Sequence, residues 1–259
     1  MFELDYKYHG MMAQTWDLFR GDTSHWDDRN FYLEIIPESG QPVLDVSCGT
    51  GRLLLDYLSQ GVDVDGVDLS PEMLNLSRQK AEGMHLTPTL FEGNMVTMSL
   101  PRHYRTVIVP SSSFQLVLDS LQAKQAILNL FAHLLPGGTL VMPFMLFWKK
   151  SEPLEVSWHL TGEKARPDDG ATIRRWSKSH FDLETQLEHT EDRYEVIREG
   201  ITISNEYHVR SPATREYAQQ QAQDLYIKSG VVDICIYKGF TRQPATAEDE
   251  LFSVTGKRH

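Results

Sequence analysis

Short apolar runs at residues 42–46, 62–68, 89–92, 106–110 and 138–146 alternate with amphipathic stretches at 51–60, 71–83 and 121–135. The runs, bounded by turn residues, read as buried strands; the stretches, apolar every third or fourth position, read as helices. Strands alternating with helices predict a parallel, doubly wound sheet, because each parallel step needs a crossover on one sheet face. Helix signals agree. Ser70 can cap the helix that Pro71 opens, and Pro136-Gly137-Gly138 is expected to stop the helix at 121–135.

The pattern changes after residue 150. Between 151 and 211, Thr, Val, Ile, Trp and Tyr are mixed with charges at period two, as in Thr172-Ile173-Arg174-Arg175-Trp176 and Ile201-Thr202-Ile203-Ser204. That alternation predicts antiparallel strands with one face in water. A helix at 214–229, ended by Gly230, and strands at 231–237 and 251–256 complete the chain. The expected architecture is an α/β domain with a mostly parallel seven-stranded sheet. Its divisions are an N-terminal helical segment (1–36), a core (37–150 and 212–259) and a β-rich insertion (151–211).

Charge narrows the partners. The 259 residues carry 25 Lys and Arg against 36 Asp and Glu, a net charge of −11, which argues against nucleic acid or an anionic membrane as a partner. The strongest apolar run, from Thr139 to Trp148, is about half the ~20 residues a membrane span needs. The start Met1-Phe2-Glu3-Leu4-Asp5 lacks the basic and apolar regions of a secretory signal, so a cytoplasmic location is expected. Cys48 and Cys235 lie far apart and the ten histidines show no ligand spacing, so neither a disulfide framework nor a metal is expected.

The chemistry concentrates in Val43-Leu44-Asp45-Val46-Ser47-Cys48-Gly49-Thr50-Gly51-Arg52, a strand entering a small-residue turn and then a helix. Backbone N–H groups at such a turn receive a polar ligand at close range. A dinucleotide fingerprint starting at Gly49 would need a third glycine where Leu54 stands, and a Walker A loop would need Lys where Arg52 stands. Asp68, ending the second strand, can accept hydrogen bonds from both hydroxyls of a ribose, which implies a nucleoside.

Asp45-Val46-Ser47-Cys48-Gly49-Thr50-Gly51 resembles the first motif of the class I S-adenosylmethionine-dependent methyltransferases, with Ser47 in place of the first glycine. The resemblance continues at Asp68, at Gly93-Asn94-Met95, at Pro110-Ser111-Ser112-Ser113-Phe114 and at Leu134-Leu135-Pro136-Gly137-Gly138. It implies a Rossmann-like core that binds S-adenosylmethionine through Asp45, Ser47, Cys48, Gly49, Gly51, Asp68, Leu69, Met73, Asn94, Met95, Pro110 and Ser111. Cys48 then lines the cofactor rather than serving as a nucleophile. Tyr6, Tyr8, Trp16 and Asp17 look like the aromatic segment that caps the cofactor in small-molecule methyltransferases. Glu184-Thr185-Gln186, Arg193-Tyr194-Glu195 and Tyr237-Lys238-Gly239-Phe240 resemble a bacterial subgroup in which inserted strands cover the substrate as a lid.

The implied reaction is methyl transfer to an N or O atom of a small-molecule acceptor. Phe147, Trp148 and Trp176 are candidates for facing the acceptor, and His180, Glu206, Tyr207 and His208 for handling its proton. The basic stretch Arg174-Arg175-Trp176-Ser177-Lys178 reads either as an anion site or as a solvated strand paired with nearby acids. The insertion is also a candidate homodimer surface. Two other readings stay open: a regulatory protein that holds the cofactor or its demethylated product without turnover, and a nicotinamide-dependent oxidoreductase.

Overall fold

The computed structural model describes residues 7–259, so Tyr6 lies outside the described residues. Three helices come first: α1 (Gly10–Gln14), α2 (Trp16–Arg20) and α3 (Asp27–Ser39). The alternating region follows as β1 (Val43–Val46), α4 (Arg52–Ser59), β2 (Val64–Asp68), α5 (Pro71–Gly83), β3 (Thr89–Glu92), β4 (Tyr104–Ile108), a 3-10 turn (Ser113–Leu116), α6 (Ser120–Ala132) and β5 (Leu134–Met145). The inserted strands are β6 (Glu155–Ala165), β7 (Thr172–Asp182), β8 (Leu187–Arg198) and β9 (Ile201–Arg215). The chain closes with α7 (Gln219–Lys228), β10 (Val232–Lys238) and β11 (Leu251–Lys257).

Seven strands form one sheet in the order β10-β11-β5-β4-β1-β2-β3, and β6-β7-β8-β9 form a second, antiparallel sheet. In the first sheet β11 runs antiparallel to both β5 and β10, and the remaining neighbours are parallel. Successive strand residues point to opposite faces, so two cores form. Leu44, Val46 and Val107 join Ile127, Leu130 and Tyr226 on one face. Val43, Ile108 and Val141 join Ile35, Leu53 and Leu54 on the other. The chain crosses from one face to the other between β1 and β4, the place where such sheets leave a crevice at their carboxyl ends.

Two boundaries differ from expectation. The sixth helix ends at Ala132, and Pro136-Gly137-Gly138 lies inside β5, where pairing with β4 shifts from Tyr104↔Leu134 to Thr106↔Thr139. Gly137, at φ 74°, turns its N–H to the Arg258 carbonyl at 2.8 Å, so the glycines make an irregularity in a strand rather than a helix stop. The helix expected from 214 begins at Gln219, because Thr214 and Arg215 still pair with Glu188 and Leu187 of β8.

The small sheet is joined to the large one by a stem. Buried Gln115 donates to the carbonyls of Met145 and Arg215, both at 2.9 Å, and accepts from the Met145 N–H at 2.8 Å. Glu216 accepts from the N–H groups of Phe147 (2.8 Å) and Trp148 (3.1 Å), so the strand leaving the core is fastened to the strand returning to it. The inner face of the small sheet, through Ile173, Tyr194 and Val196, packs on Met11 and Met12 of α1. Among the described residues no helix is long and apolar enough to cross a membrane.

Candidate cofactor and acceptor site

A cavity of about 360 Å³ opens where β1 and β4 end, between the large sheet, the N-terminal helices and the small sheet. Its floor is the turn after β1. Ser47, Gly49 and Gly51 take φ of 61°, 57° and 81°, the left-handed region that suits glycine, so Ser47 holds that conformation despite its side chain. A Cβ on Gly51 would lie 2.5 Å from Ser77 Oγ and 2.9 Å from Leu55 Cγ, so this glycine lets α5 approach the turn. The N–H of Gly49 donates to Asp68 Oδ2 and that of Ser70 to Asp68 Oδ1, both at 2.8 Å. Burial raises the Asp68 carboxyl above its usual range, while these backbone donors pull it back.

Asp45 lies under the same turn, 1% exposed, and among the described residues neither of its carboxylate oxygens has a hydrogen-bond partner. Burial pushes its pKa up to about 8 against the opposing pull of Arg52. Arg52 itself makes a forked pair with the buried carboxylate of Asp28. Cys48 is buried and its thiol is raised well above the ordinary range by that burial, which makes it a poor nucleophile. Asn94 accepts from the Val96 N–H at 2.9 Å, shaping the turn after β3.

The N-terminal helices cover the cavity from one side. Tyr8 and Trp16 meet edge to face at 5.0 Å, and the Arg20 guanidinium lies 3.5 Å from the Trp16 ring centroid. Asp17 accepts from the Thr50 hydroxyl at 2.7 Å and from Lys80 at 2.9 Å, tying α2 to the turn after β1 and to α5. Glu72 holds the N–H of Gly10 (2.8 Å) and Glu206 that of Met11 (3.0 Å).

The cavity wall includes Tyr8 and Trp16 from the N-terminal segment, and Asp45, Ser47, Cys48 and Gly49 from the first turn. Asp68, Leu69 and Met73 follow, then Asn94, Met95, Pro110 and Ser111. Gly51 stands behind the wall, where it serves packing. Of the acceptor-side candidates Phe147 lines the cavity, whereas Trp148 stacks on Phe181 and Trp176 donates to Glu195 at 2.9 Å.

The four proton-handling candidates do not line the cavity: strand phase turns Tyr207 and His180 outward, whereas Glu206 and His208 lie on the inner face but against the N-terminal segment. Tyr207 is 58% exposed on the outer face of β9, and His180, on β7, is solvent-exposed beside Glu155. Glu206 and His208 face the N-terminal helices, with His208 Nε2 at 2.6 Å from Glu206 Oε1. The fold also gathers the ligand atoms of His9, Glu206 and His208 within 4.8 Å, a grouping invisible to local histidine spacing. In the basic stretch each cation has an acid: Arg174 with Glu163, Arg175 with Asp192 at 2.8 Å, Lys178 with Glu191 at 2.9 Å.

Sequence reasoning missed the wall supplied by the small sheet, namely Glu188 of β8 and Arg210, Pro212, Ala213 and Thr214 of β9. Pro212, Ala213 and Thr214 are consecutive and fall where β9 slips register against β8, between the Thr190–Arg210 and Glu188–Thr214 pairs, so no strand period announces them.

Residues 43–138 match the family model described as a methyltransferase domain. Among curated proteins, a Geobacillus protein named as a methyltransferase is 30% identical over 104 residues, 40% of this chain and 42% of the relative. The dTDP-3-amino-3,4,6-trideoxy-alpha-D-glucopyranose N,N-dimethyltransferase of Streptomyces venezuelae is 30% identical over 55% of this chain and 56% of its own length. The dTDP-3-amino-3,6-dideoxy-alpha-D-glucopyranose N,N-dimethyltransferase of Streptomyces fradiae is 28% identical over 81% and 80%. The chain thus spans about half the length of the first two relatives. Among solved structures, a sugar N-methyltransferase from Streptoalloteichus superposes with a TM-score of 0.73 at 23% identity, covering 98% of this chain and 96% of the other.

Proposed function

We propose that this chain, whose core is a methyltransferase domain with the class I S-adenosylmethionine-dependent fold, methylates an amino nitrogen of a small molecule, with an amino-sugar nucleotide as the acceptor class. The observation that carries the reading is the position of Asp68: a buried carboxylate, fastened to the Gly49 turn, at a cavity whose far wall comes from the inserted sheet. The names of the Streptomyces relatives supply the acceptor class.

The residues present fit S-adenosylmethionine. Asp68 offers a carboxylate for ribose hydroxyls, and the left-handed turn brings backbone close to the ligand. When bound, the cofactor supplies a methyl group already activated by its sulfonium, so no metal or acyl intermediate is needed. The protein's share of the work is positioning and exclusion of water. Tyr8, Trp16 and Arg20 cover the site, and Phe147, Leu118, Pro212 and Ala213 give the acceptor side an apolar lining.

Calorimetry with S-adenosylmethionine and S-adenosylhomocysteine, beside NADH and ATP, tests the cofactor. Mass spectrometry of dTDP-3-amino-3,6-dideoxy-glucose after incubation tests transfer. Binding of the sulfur nucleosides alone and a 14 Da gain, one methylene, are expected. A folded protein that binds NADH instead, or binds the cofactor without ever shifting any amine by that mass, overturns the reading.

The same proposal extends to assembly and compartment. Leu160, Trp176, Arg193 and Tyr207 fall in one row across the small sheet, and Leu160 and Tyr207 are exposed there with Trp158 and Val209. Such an apolar outer face supports a homodimer through the lid. Light scattering should give twice the 29.7 kDa chain mass, and a monomer at micromolar concentration would exclude it. The exposed free Cys235 supports a reducing, cytoplasmic setting, and the charge of −11 supports a partner list without nucleic acid.

A further inference from the structure

Four carboxylates line the cavity among the described residues: Asp17, Asp45, Asp68 and Glu188. Three are committed to the cofactor side. Asp17 is held by Thr50 and Lys80, Asp68 by the Gly49 and Ser70 amides, and Asp45 lies beneath the turn after β1. Glu188 alone comes from the inserted sheet, on β8. It accepts from the Thr214 hydroxyl at 2.7 Å across the β8–β9 pair, which fixes its carboxylate and leaves lone pairs for another donor. The cavity is also lined by apolar Phe147, Leu118, Pro212 and Ala213 and by Arg210, whose charge acts on Glu188. None of the histidines among the described residues lines the cavity.

We propose that Glu188 is the acceptor-side catalytic carboxylate: it receives the acceptor as an ammonium ion, takes one proton from it, and makes this site selective for amines over alcohols. The inference rests on the methyl-transfer reading above and deepens it.

The balance is simple. An acceptor amine arrives protonated near neutral pH and cannot attack in that form. One N–H bond breaks, its electron pair stays on nitrogen, and the proton goes to a Glu188 oxygen. The freed pair forms the N–CH₃ bond while the C–S bond breaks with its pair moving to sulfur, leaving a thioether and a methylated ammonium. The proton on Glu188 returns to solvent as the product leaves. A hydroxyl acceptor gains less from a carboxylate at this place, because it brings no positive charge to pair with and its proton, held at a far higher pKa than that of an ammonium ion, passes to the carboxylate with a much larger mismatch.

The electrostatics suit this role. Burial raises the Glu188 carboxyl above its ordinary range, with Asp192 and Glu216 adding to the rise and the Thr214 hydroxyl and Arg210 opposing it. Arg210, on β9, is itself shared with Asp192 at 3.5 Å and with the Tyr8 hydroxyl at 3.3 Å. The cavity's remaining charged groups, Lys7, Asp17, Arg20, Arg52, Asp45 and Asp68, belong to the N-terminal segment and the core. A base with a raised pKa accepts a proton from an ammonium ion with a smaller mismatch than an exposed glutamate would.

The test compares the wild type with Glu188→Gln, which keeps an acceptor for Thr214, in protein loaded with S-adenosylhomocysteine. The probes are dTDP-3-amino-3,6-dideoxy-glucose and its 3-hydroxy counterpart. We expect the wild type to prefer the amine by about 30-fold or more and E188Q to lose that preference, with S-adenosylhomocysteine affinity within two-fold in both, for an ion pair formed out of water. In turnover, E188Q should fall about 10²-fold at pH 7, and its rate should keep climbing with pH where the wild type has levelled off. Thr214→Val should keep the amine preference but move the wild-type pH midpoint upward. Equal binding of the two probes by the wild type, or an E188Q enzyme with unchanged preference and pH profile, overturns the assignment of Glu188. Loss of S-adenosylhomocysteine binding by the wild type would instead overturn the methyl-transfer reading beneath it.

Discussion

Gly49 gives its N–H to Oδ2 of Asp68 at 2.8 Å, so the turn after β1 and the carboxylate ending β2 form one rigid unit. A change at either residue therefore acts on both. Asp68→Ala removes the ribose acceptor and releases the Gly49 amide together. Cofactor affinity should fall by about 1–3 kcal/mol, roughly 5- to 150-fold, in calorimetry with S-adenosylhomocysteine. Unchanged affinity would move the nucleoside site elsewhere.

Gly51→Ala should damage the fold more than the cofactor contacts, because its Cβ would press on Ser77 and Leu55 at a left-handed φ of 81°. A loss of about 2–3 kcal/mol is expected, which for a chain of this size lowers Tm by about 5–10 °C. A melting temperature equal to the wild type would show that α5 can retreat freely.

Asp45 makes ligand-free stability depend on pH. Its folded pKa of about 8 stands above the ordinary 3.8, so the folded state keeps a proton that the unfolded chain releases in that interval. The stabilisation is complete below the unfolded pKa and is lost as pH rises through the folded one. Wild-type Tm should therefore drop between pH 5 and pH 8, by about 5 °C or more, and Asp45→Asn should flatten the drop. Parallel curves for the two proteins would mean that Asp45 is already ionised at pH 5.

Glu206 lies outside the cavity yet holds its cover through the Met11 N–H at 3.0 Å, with His208 of the same strand 2.6 Å from its carboxylate. Hydrogen bonds to a charged acceptor are worth about 1.5–3 kcal/mol, so Glu206→Ala should speed amide exchange at Met11 by about 10- to 100-fold and weaken cofactor retention in step. Faster exchange in the small sheet with none in α1 would refute a role in fastening the cover.

The alternating half of the chain is legible because its central strands, β1 and β2 above all, are buried on both faces. Apolar runs such as Val43–Val46 need no partner to be recognised, and the turn at Ser47 to Gly51 announces itself by residue size. The inserted sheet is legible as strands but not as a wall. Tyr207 and His208 are adjacent, one exposed and one buried, and only contact with α1 and the core decides which phase faces inward. Glu188 was lost for the same reason. It stands among many charged residues on a half-solvated strand, and its inward direction is set by pairing with Thr214, 26 positions away. The Pro136-Gly137-Gly138 signal failed differently: a local helix stop was outweighed by the Arg258 carbonyl, supplied from the far end of the chain.

Gln115 and Glu216 close the stem through which the small sheet leaves and re-enters the core. The neck is not the insertion's only tie, for Glu206 and Arg210 of β9 also hold Met11 and Tyr8 of the cofactor cover. A sheet fastened both at its base and to the cover moves with the cover, so a change of acceptor wall that disturbs residues 206–210 is felt on the nucleoside side as well. Freedom to take new acceptors is therefore confined to wall positions that touch neither the neck nor the cover.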